Sequence, residues 1–231
     1  MRISLKEEDY SDAPLFEQKK FKDLTFSQKL SYIWDYYKWW FLGAAIVITL
    51  LVVTVPGIIE NSKEEVLYSV FLNSNIQGQE STTIMDDYTK AAGIDMNNKR
   101  ITLDCSIYID RENSTTASMQ SSQKLTALFS AKKIDVILSD EANFEFCSSQ
   151  GAYMDLKELL PDDLCEKYKD SFVEAANPET GEMTAYGLKL TDNPILKDEN
   201  AFDFEPIVSV CLTTDKKDNA IAFIKYLLGE I

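Results

Sequence analysis

The pattern of apolar and polar residues along the chain is interrupted by one long segment without any charged side chain, residues 39–59. A helix rises about 1.5 Å per residue, so this segment would reach about 30 Å, the thickness of the hydrocarbon core of a bilayer. Trp39 and Trp40 open the segment, at a position where amphipathic rings suit the headgroup region. The pattern predicts a transmembrane helix at residues 39–59 that anchors the chain without being cleaved.

The residues on either side of this span predict three shorter segments. Residues 1–24 have mixed charge and no regular apolar pattern, which indicates a cytoplasmic tail. Residues 25–38 place apolar and aromatic side chains at helical spacing, which predicts an interfacial amphipathic helix, and a partner-docking helix is the alternative interpretation. Residues 60–65, ENSKEE, predict a polar stalk.

The distribution of charge predicts the orientation of the chain in the membrane. Five lysines lie within residues 19–38, whereas Lys63 is the one lysine within residues 60–79. Because basic residues resist translocation, we expect the N-terminus in the cytoplasm and the C-terminal domain outside the cell. The chain has a net charge of −15, and its acidic excess lies beyond the span. An acidic domain argues against a nucleic-acid partner, which requires basic patches.

Residues 66–231 show the alternation of strands and helices that is typical of an α/β domain. Apolar runs at residues 66–72 and 134–138 and an alternating run at residues 101–109 predict strands, with helices between them. Connections of this length force parallel pairing, with the helices on the faces of the sheet. We therefore predict an open, doubly wound, mainly parallel sheet with flanking helices. The later elements are predicted as a helix at 140–146, a hairpin arm at 183–190, a strand at 207–212 and a helix at 216–229.

Polar residues follow the first three predicted strands at their carboxyl ends. In open α/β sheets ligands bind beyond these ends, where backbone groups and helix N-termini are free. Each of these residues also has a structural interpretation, as part of a turn or as a helix N-cap. The predicted ligand-binding residues are Asn73, Asn75, Asp110, Arg111, Ser139, Asp140 and Glu141.

Catalytic and metal chemistry find little support in the composition. The chain contains no histidine, which removes the usual zinc site, the Ser-His-Asp triad and the Cys-His dyad. Carboxylate pairs such as Asp162 and Asp163 lie in polar turns, not in the buried settings that suit acid–base catalysis. The sequence therefore predicts no enzyme, no metal site and no cofactor. Its four cysteines form no CxxC pair and are predicted to be free thiols, with disulfides outside the cell as the alternative.

Three parts of the domain carry a family resemblance. Residues 131–141 (AKKIDVILSDE), 150–156 (QGAYMDL) and 208–228 resemble segments of the extracellular solute-binding proteins of ABC importers. The resemblance implies a periplasmic-binding-protein-like fold that binds a ligand. Those proteins have two lobes, but only about thirty residues lie between the second segment and the hairpin arm, and domains rarely fall below about 50 residues. The resemblance therefore implies a reduced, one-lobed form.

The anchor region carries a second resemblance. Residues 31–39 (SYIWDYYKW) resemble membrane proteins of Gram-positive clostridial bacteria. These observations predict a single-pass protein of the cell membrane that contacts the lipid bilayer through residues 39–59. Its outer domain is predicted to be non-catalytic and to sense or bind a small polar solute. The alternative is a protein-interaction or scaffold domain that has lost ligand binding and whose partner is another membrane protein.

Overall fold

The structure, a computed structural model, describes residues 26–76, 82–113 and 115–231. The chain divides after Ser62 into an N-terminal unit and a domain that comprises Lys63–Ile231. The predicted cytoplasmic tail, residues 1–24, lies outside the described residues.

The described part of the N-terminal unit is one helix, α1, Phe26–Ser62. In the described part of the chain, Trp39–Ile58 is the one segment that is long and apolar enough to cross a membrane as a helix, with a mean hydropathy of 2.5. Its side chains are exposed. The hydroxyls of Thr49 and Thr54 donate to carbonyl oxygens one turn earlier, at 2.8 and 2.7 Å. This segment therefore presents an apolar surface whose hydroxyls are satisfied internally, as a membrane span requires.

Helix α1 covers segments that the sequence analysis treated separately. It continues without interruption from the predicted interfacial helix, residues 25–38, through the predicted span. Residues 60–62 of the predicted stalk form its end, and the first strand begins at Glu64. Residues 60–65 are therefore divided between a helix and a strand.

A mixed sheet forms the centre of Lys63–Ile231. Its strands in the described residues are β1 Glu64–Phe71, β2 Lys99–Asp104, β3 Val136–Ser139, β4 Phe172–Ala176, β5 Met183–Lys189 and β6 Ile207–Val210. Their order in the sheet is β2-β1-β3-β6-β5-β4. β1 is parallel to both β2 and β3, whereas β6 is antiparallel to β3 and β5, and β4 is antiparallel to β5. The sheet thus has a parallel half and an antiparallel half.

Helices cover both faces of this sheet. They are α2 Thr82–Ala91, α3 Thr116–Ser130, α4 Glu141–Ser149, α5 Leu156–Leu159, α6 Asp162–Lys167, α7 Pro194–Asp198 and α8 Lys217–Leu227, with a 3-10 turn at Lys169–Ser171. Leu67 and Phe71 of β1 belong to a core cluster shared with α2 and α8, whereas Tyr68 and Val70 belong to a second cluster shared with α3 and α4. Burial on both faces explains why residues 66–71 of β1 are almost wholly apolar.

The α/β class and the flanking helices are confirmed, and so is the parallel pairing of the first three strands. The antiparallel half begins with β4 and β5, which a short turn at residues 177–182 joins as a hairpin, and hairpin strands are antiparallel. The strand predicted at 101–109 ends at Asp104, although Ile107 and Ile109 beyond it are still buried. The doubly wound arrangement of solute-binding proteins remains a prediction.

Candidate functional site

The side chain of Asn73 joins the carboxyl end of β1 to the segment that follows β2. Asn73 has a φ of 57°, in the left-handed region that asparagine tolerates better than most residues. Its Oδ1 accepts from the Ile109 N–H at 2.7 Å, and its Nδ2 donates to the Ile109 carbonyl at 3.0 Å. The amide thus bonds both backbone groups of one residue, as a paired strand residue does, and fixes Ile109 beside β1.

Asp140 is the N-cap of α4 and the centre of this polar cluster. Its Oδ1 accepts from the backbone N–H of Asn143 at 2.9 Å. Its Oδ2 accepts from Nδ2 of Asn73 at 2.6 Å and from Nδ2 of Asn143 at 2.9 Å. Nδ2 of Asn143 also donates to the Ile109 carbonyl at 3.1 Å. These four residues therefore close a hydrogen-bonded ring at the carboxyl ends of β1 and β3.

Arg111 is oriented by this ring. Its Nε donates to Oδ1 of Asn143 at 2.8 Å, and its Cζ lies 3.7 Å from the centroid of the Phe146 ring. The hydrogen bond fixes one edge of the guanidinium, and the contact with the Phe146 ring fixes one of its faces. Its terminal nitrogens make no hydrogen bond or ion pair with the residues that the structure describes. Those nitrogens are consequently available to an anion. We refer to Asn73, Ile109, Asp140, Asn143 and Arg111 as the strand-end network.

A cavity of about 440 Å³ lies between α3 and α4, and Arg111 forms part of its wall. We call it the α3–α4 cavity. Arg111 is the one charged residue that lines it among the described residues. Most of the remaining surface is apolar. The apolar residues that line it are Ile109, Leu125, Phe129, Phe146, Ala152 and Leu212.

The position of α4 depends on a glycine in the sheet. A Cβ atom at Gly187 of β5 would lie 2.7 Å from Cε2 of Phe144 and 2.4 Å from Cγ2 of Ile207. These distances are shorter than van der Waals contact, so no larger residue fits between the strand and the helix. Because Phe144 neighbours Asn143 in sequence, the close packing on Gly187 also sets the position of the strand-end network.

Four of the predicted site residues lie outside this network. The carboxylate of Asp110 accepts hydrogen bonds from the backbone N–H and side-chain amide of Asn113 and from the N–H of Glu112. These bonds lower the pKa of Asp110 and stabilise its own loop. Asn75 is exposed, and its N–H donates to the Ala201 carbonyl at 2.8 Å. Glu141 is exposed at the first position of α4. Ser139 is buried, and its hydroxyl has no hydrogen-bond partner of good geometry among the described residues.

Ser139 faces a buried group of weakly polar side chains. The Tyr153 ring stacks on Phe144 with centroids 5.8 Å apart, and its hydroxyl lies near Ser139 and the Cys147 thiol. Burial raises the pKa of Cys147 and raises that of Tyr153 well above its ordinary value. Both groups are therefore protonated at neutral pH. The four cysteines are free, as predicted.

A second cavity, of about 560 Å³, lies on the other side of Gly151 and Leu212, which contribute to both walls. We call it the acidic cavity. Four carboxylates and one cation, Lys217, line it. The carboxylates are those of Asp155, Glu158, Glu179 and Glu182. An anionic ligand is therefore disfavoured there and favoured beside Arg111.

Asn143 and Phe146, which hold Arg111 in place, are two members of the site that the sequence analysis missed. Both lie on α4, which was predicted, but a polar residue in a helix usually faces solvent. One signal was present: Asn143 stands three residues after the N-cap, where a side chain commonly bonds back toward the cap. In this chain that side chain bonds the Asp140 carboxylate.

Comparison of the chain with protein-family models, with curated proteins and with solved structures finds no match. The class that the fold itself defines is a mixed α/β domain that follows a helix able to span a membrane.

Proposed function

We propose that the protein is a membrane-anchored binding module whose domain holds a small solute in the α3–α4 cavity. One observation carries this proposal: a largely apolar cavity of about 440 Å³ has in its wall an arginine that Asn143 orients and whose terminal nitrogens bond none of the described residues. Small-molecule sites typically occupy about 300–1,000 Å³ and combine apolar walls with a few convergent polar groups. The resemblance of residues 131–141 and 208–228 to solute-binding proteins supports the same function in a one-lobed form.

The chemistry of the cavity wall supports binding without catalysis. Arginine stays protonated at physiological pH and is a poor proton donor or acceptor. Cys147 lines the cavity, and burial raises the pKa of its thiol, whereas a reactive cysteine requires a thiolate. These groups can orient an anion, but they offer neither a nucleophile nor an acid–base pair.

The predicted compartment is part of the proposal. Segment Trp39–Ile58 supports anchoring in the cell membrane, and the lysines within residues 19–38 support a cytoplasmic N-terminus with an extracellular domain. A protease added to intact cells should remove the C-terminal domain and spare an N-terminal epitope tag. Protection of the domain, together with its digestion after lysis, would contradict this orientation.

Solute binding is tested with the full-length chain in nanodiscs and a panel of organic acids, amines, sugars and amino acids. A ligand at a hundredfold excess over Kd adds about 2.7 kcal/mol to the free energy of unfolding, or about 5–11 °C in melting temperature for a domain of this size. Thr126→Trp places a large ring in the α3–α4 cavity and should abolish the shift. Ala127→Trp is the matched control, because Ala127 is exposed on the same helix and does not line the cavity.

An interaction or scaffold domain is the second candidate function. Phe146 and Leu212 are 46 % and 56 % exposed at the cavity wall, and exposed apolar side chains around a groove are typical of protein-binding surfaces. This alternative predicts that no compound of the panel shifts the melting temperature. It also predicts that Phe146→Ser with Leu212→Ser removes one defined crosslinked membrane partner while the domain still unfolds cooperatively within a few degrees of the wild type.

A further inference from the structure

We infer that the solute is an amphipathic monocarboxylate, whose carboxylate pairs with Arg111 and whose apolar body fills the α3–α4 cavity. This inference rests on the proposed function of the cavity and adds the chemical class of the ligand. Three properties of the wall carry it: its charge, the state of its hydroxyl groups and the number of its cations.

The charge of the wall selects an anion. Arg111 lines the cavity, whereas no aspartate or glutamate does so among the described residues. This absence is informative in a chain of net charge −15, because most surfaces of such a chain carry carboxylates. Arginine also presents paired N–H groups whose geometry matches a carboxylate. A cationic ligand is disfavoured, because the guanidinium would repel it and no carboxylate of the described residues lines the wall to pair with it.

The hydroxyl groups of the wall disfavour a sugar. Thr126 and Ser130 line the cavity, but their hydroxyls already donate to carbonyl oxygens one turn earlier in α3, both at 2.8 Å. A polyol needs several donors and acceptors, since each of its buried hydroxyls costs free energy when left unpaired. The wall also contains Ser122, Gln150 and Thr213, but these polar groups are few beside its apolar side chains and fall short of the donors and acceptors that a polyol needs. An apolar body with one polar end fits this surface.

Arg111 is the one cation of the wall among the described residues, and this limits the charge of the ligand to one. A phosphate monoester or a dicarboxylate carries a second negative charge, which Arg111 alone would leave unpaired next to apolar side chains. An unpaired charge in such surroundings is strongly unfavourable. The wall therefore favours a monocarboxylate over more highly charged acids.

The test measures dissociation constants by saturation-transfer NMR with the full-length chain in nanodiscs of neutral lipid, and empty nanodiscs correct for partitioning. The probes are hexanoate, 3-phenylpropionate and indole-3-acetate, each with its amide and with the amine of similar shape. Loss of a charge-assisted hydrogen bond weakens binding by about 10- to 100-fold, so each amide should bind that much more weakly than its acid. Phenyl phosphate should also bind more weakly than 3-phenylpropionate.

Two variants separate this inference from the proposed function. Arg111→Gln should bind acid and amide equally, and Arg111→Lys should retain part of the preference; both should keep the melting temperature within a few degrees of the wild type. If amides bind the wild type as tightly as acids, or if Arg111→Gln keeps the preference, the ligand class is wrong although a cavity ligand exists. If no probe and no other panel compound shows binding that Thr126→Trp abolishes, the proposed function itself fails.

Discussion

The substitution Asp140→Asn distinguishes the strand-end network from an ordinary helix cap. Asparagine and aspartate are almost equally good N-caps, so a pure capping role predicts little change. In the structure, however, three donors converge on the Asp140 carboxylate: the backbone N–H of Asn143 and the Nδ2 groups of Asn73 and Asn143. A carboxylate accepts on both oxygens, whereas an amide accepts on one and donates from the other.

The expected loss of stability follows from the better of the two amide orientations. If the amide oxygen replaces Oδ2, it keeps the bonds from Asn73 and Asn143, but its NH2 group faces the N–H of Asn143. The cap bond is then lost, at about 1 kcal/mol, and two charge-assisted bonds become neutral, at about 0.5–1 kcal/mol each. The sum is about 2–3 kcal/mol. The opposite orientation turns two donors against the NH2 group and costs more.

The measurement is thermal unfolding of the full-length chain in nanodiscs, followed by circular dichroism. Asp140→Asn should lower the melting temperature by about 4–12 °C, at about 2–4 °C per kcal/mol for a domain of this size. Asp155→Asn is the matched control: Asp155 caps α5, and among the described residues its carboxylate accepts one hydrogen bond, from the Lys157 N–H at 2.9 Å. An amide preserves that bond, so the expected change is at most about 2 °C. Equal shifts for the two variants would refute the three-donor argument.

Three other substitutions test the fold. Gly187→Ala should cost about 1–3 kcal/mol in thermal unfolding, because the new methyl overpacks against Phe144 and Ile207, and an unchanged melting temperature would disprove this contact. Burial raises the pKa of Tyr88 to about 12, so the folded protein favours the neutral phenol. The free energy of unfolding should therefore decrease as the pH rises from about 10 through about 12. Tyr88→Phe should flatten that pH dependence in chemical denaturation, and an unaltered slope would count against it. Burial tends to raise the pKa of Asp104, but hydrogen bonds from Lys124, Ser106 and Tyr68 outweigh it and lower the pKa. Asp104→Asn should therefore lower the free energy of unfolding by about 1–3 kcal/mol at neutral pH. This deficit should shrink as the pH falls through and below 3.8, and a deficit that stays constant over that range would argue against the ionic contribution.

Local patterns were sufficient to predict the parallel half of the domain. The apolar run of β1 and the turn after it are properties of neighbouring residues, and a strand–helix–strand order restricts the pairing of β1 with β2 and β3. The place of β6 between β3 and β5 was not predictable in this way. It depends on contacts between residues far apart in sequence, and an apolar strand carries no information on its neighbours.

The sequence was sufficient to predict where the candidate site lies, but not which residues form all of it. Asn73, Asp140 and Arg111 meet at the strand ends because carboxyl ends of parallel strands share one edge of a sheet. Ser139 lies two residues after Ile137 and so points to the same face of β3, toward the core. The face to which Ser139 points could therefore be predicted from its spacing to Ile137 in the sequence. The role of Asn143 was not, because it depends on Arg111 approaching from a segment 32 residues away in sequence.

The position of β6 has a consequence for the order in which the domain assembles during translation. The sixth strand to be synthesised occupies an interior place, between β3 and β5. Until the ribosome has released it, the β4–β5 hairpin has no further strand to pair with, and β3 exposes an unpaired edge. The two halves of the sheet therefore cannot join before β6 emerges, and until then the free edge of β3 is open to pairing with another chain.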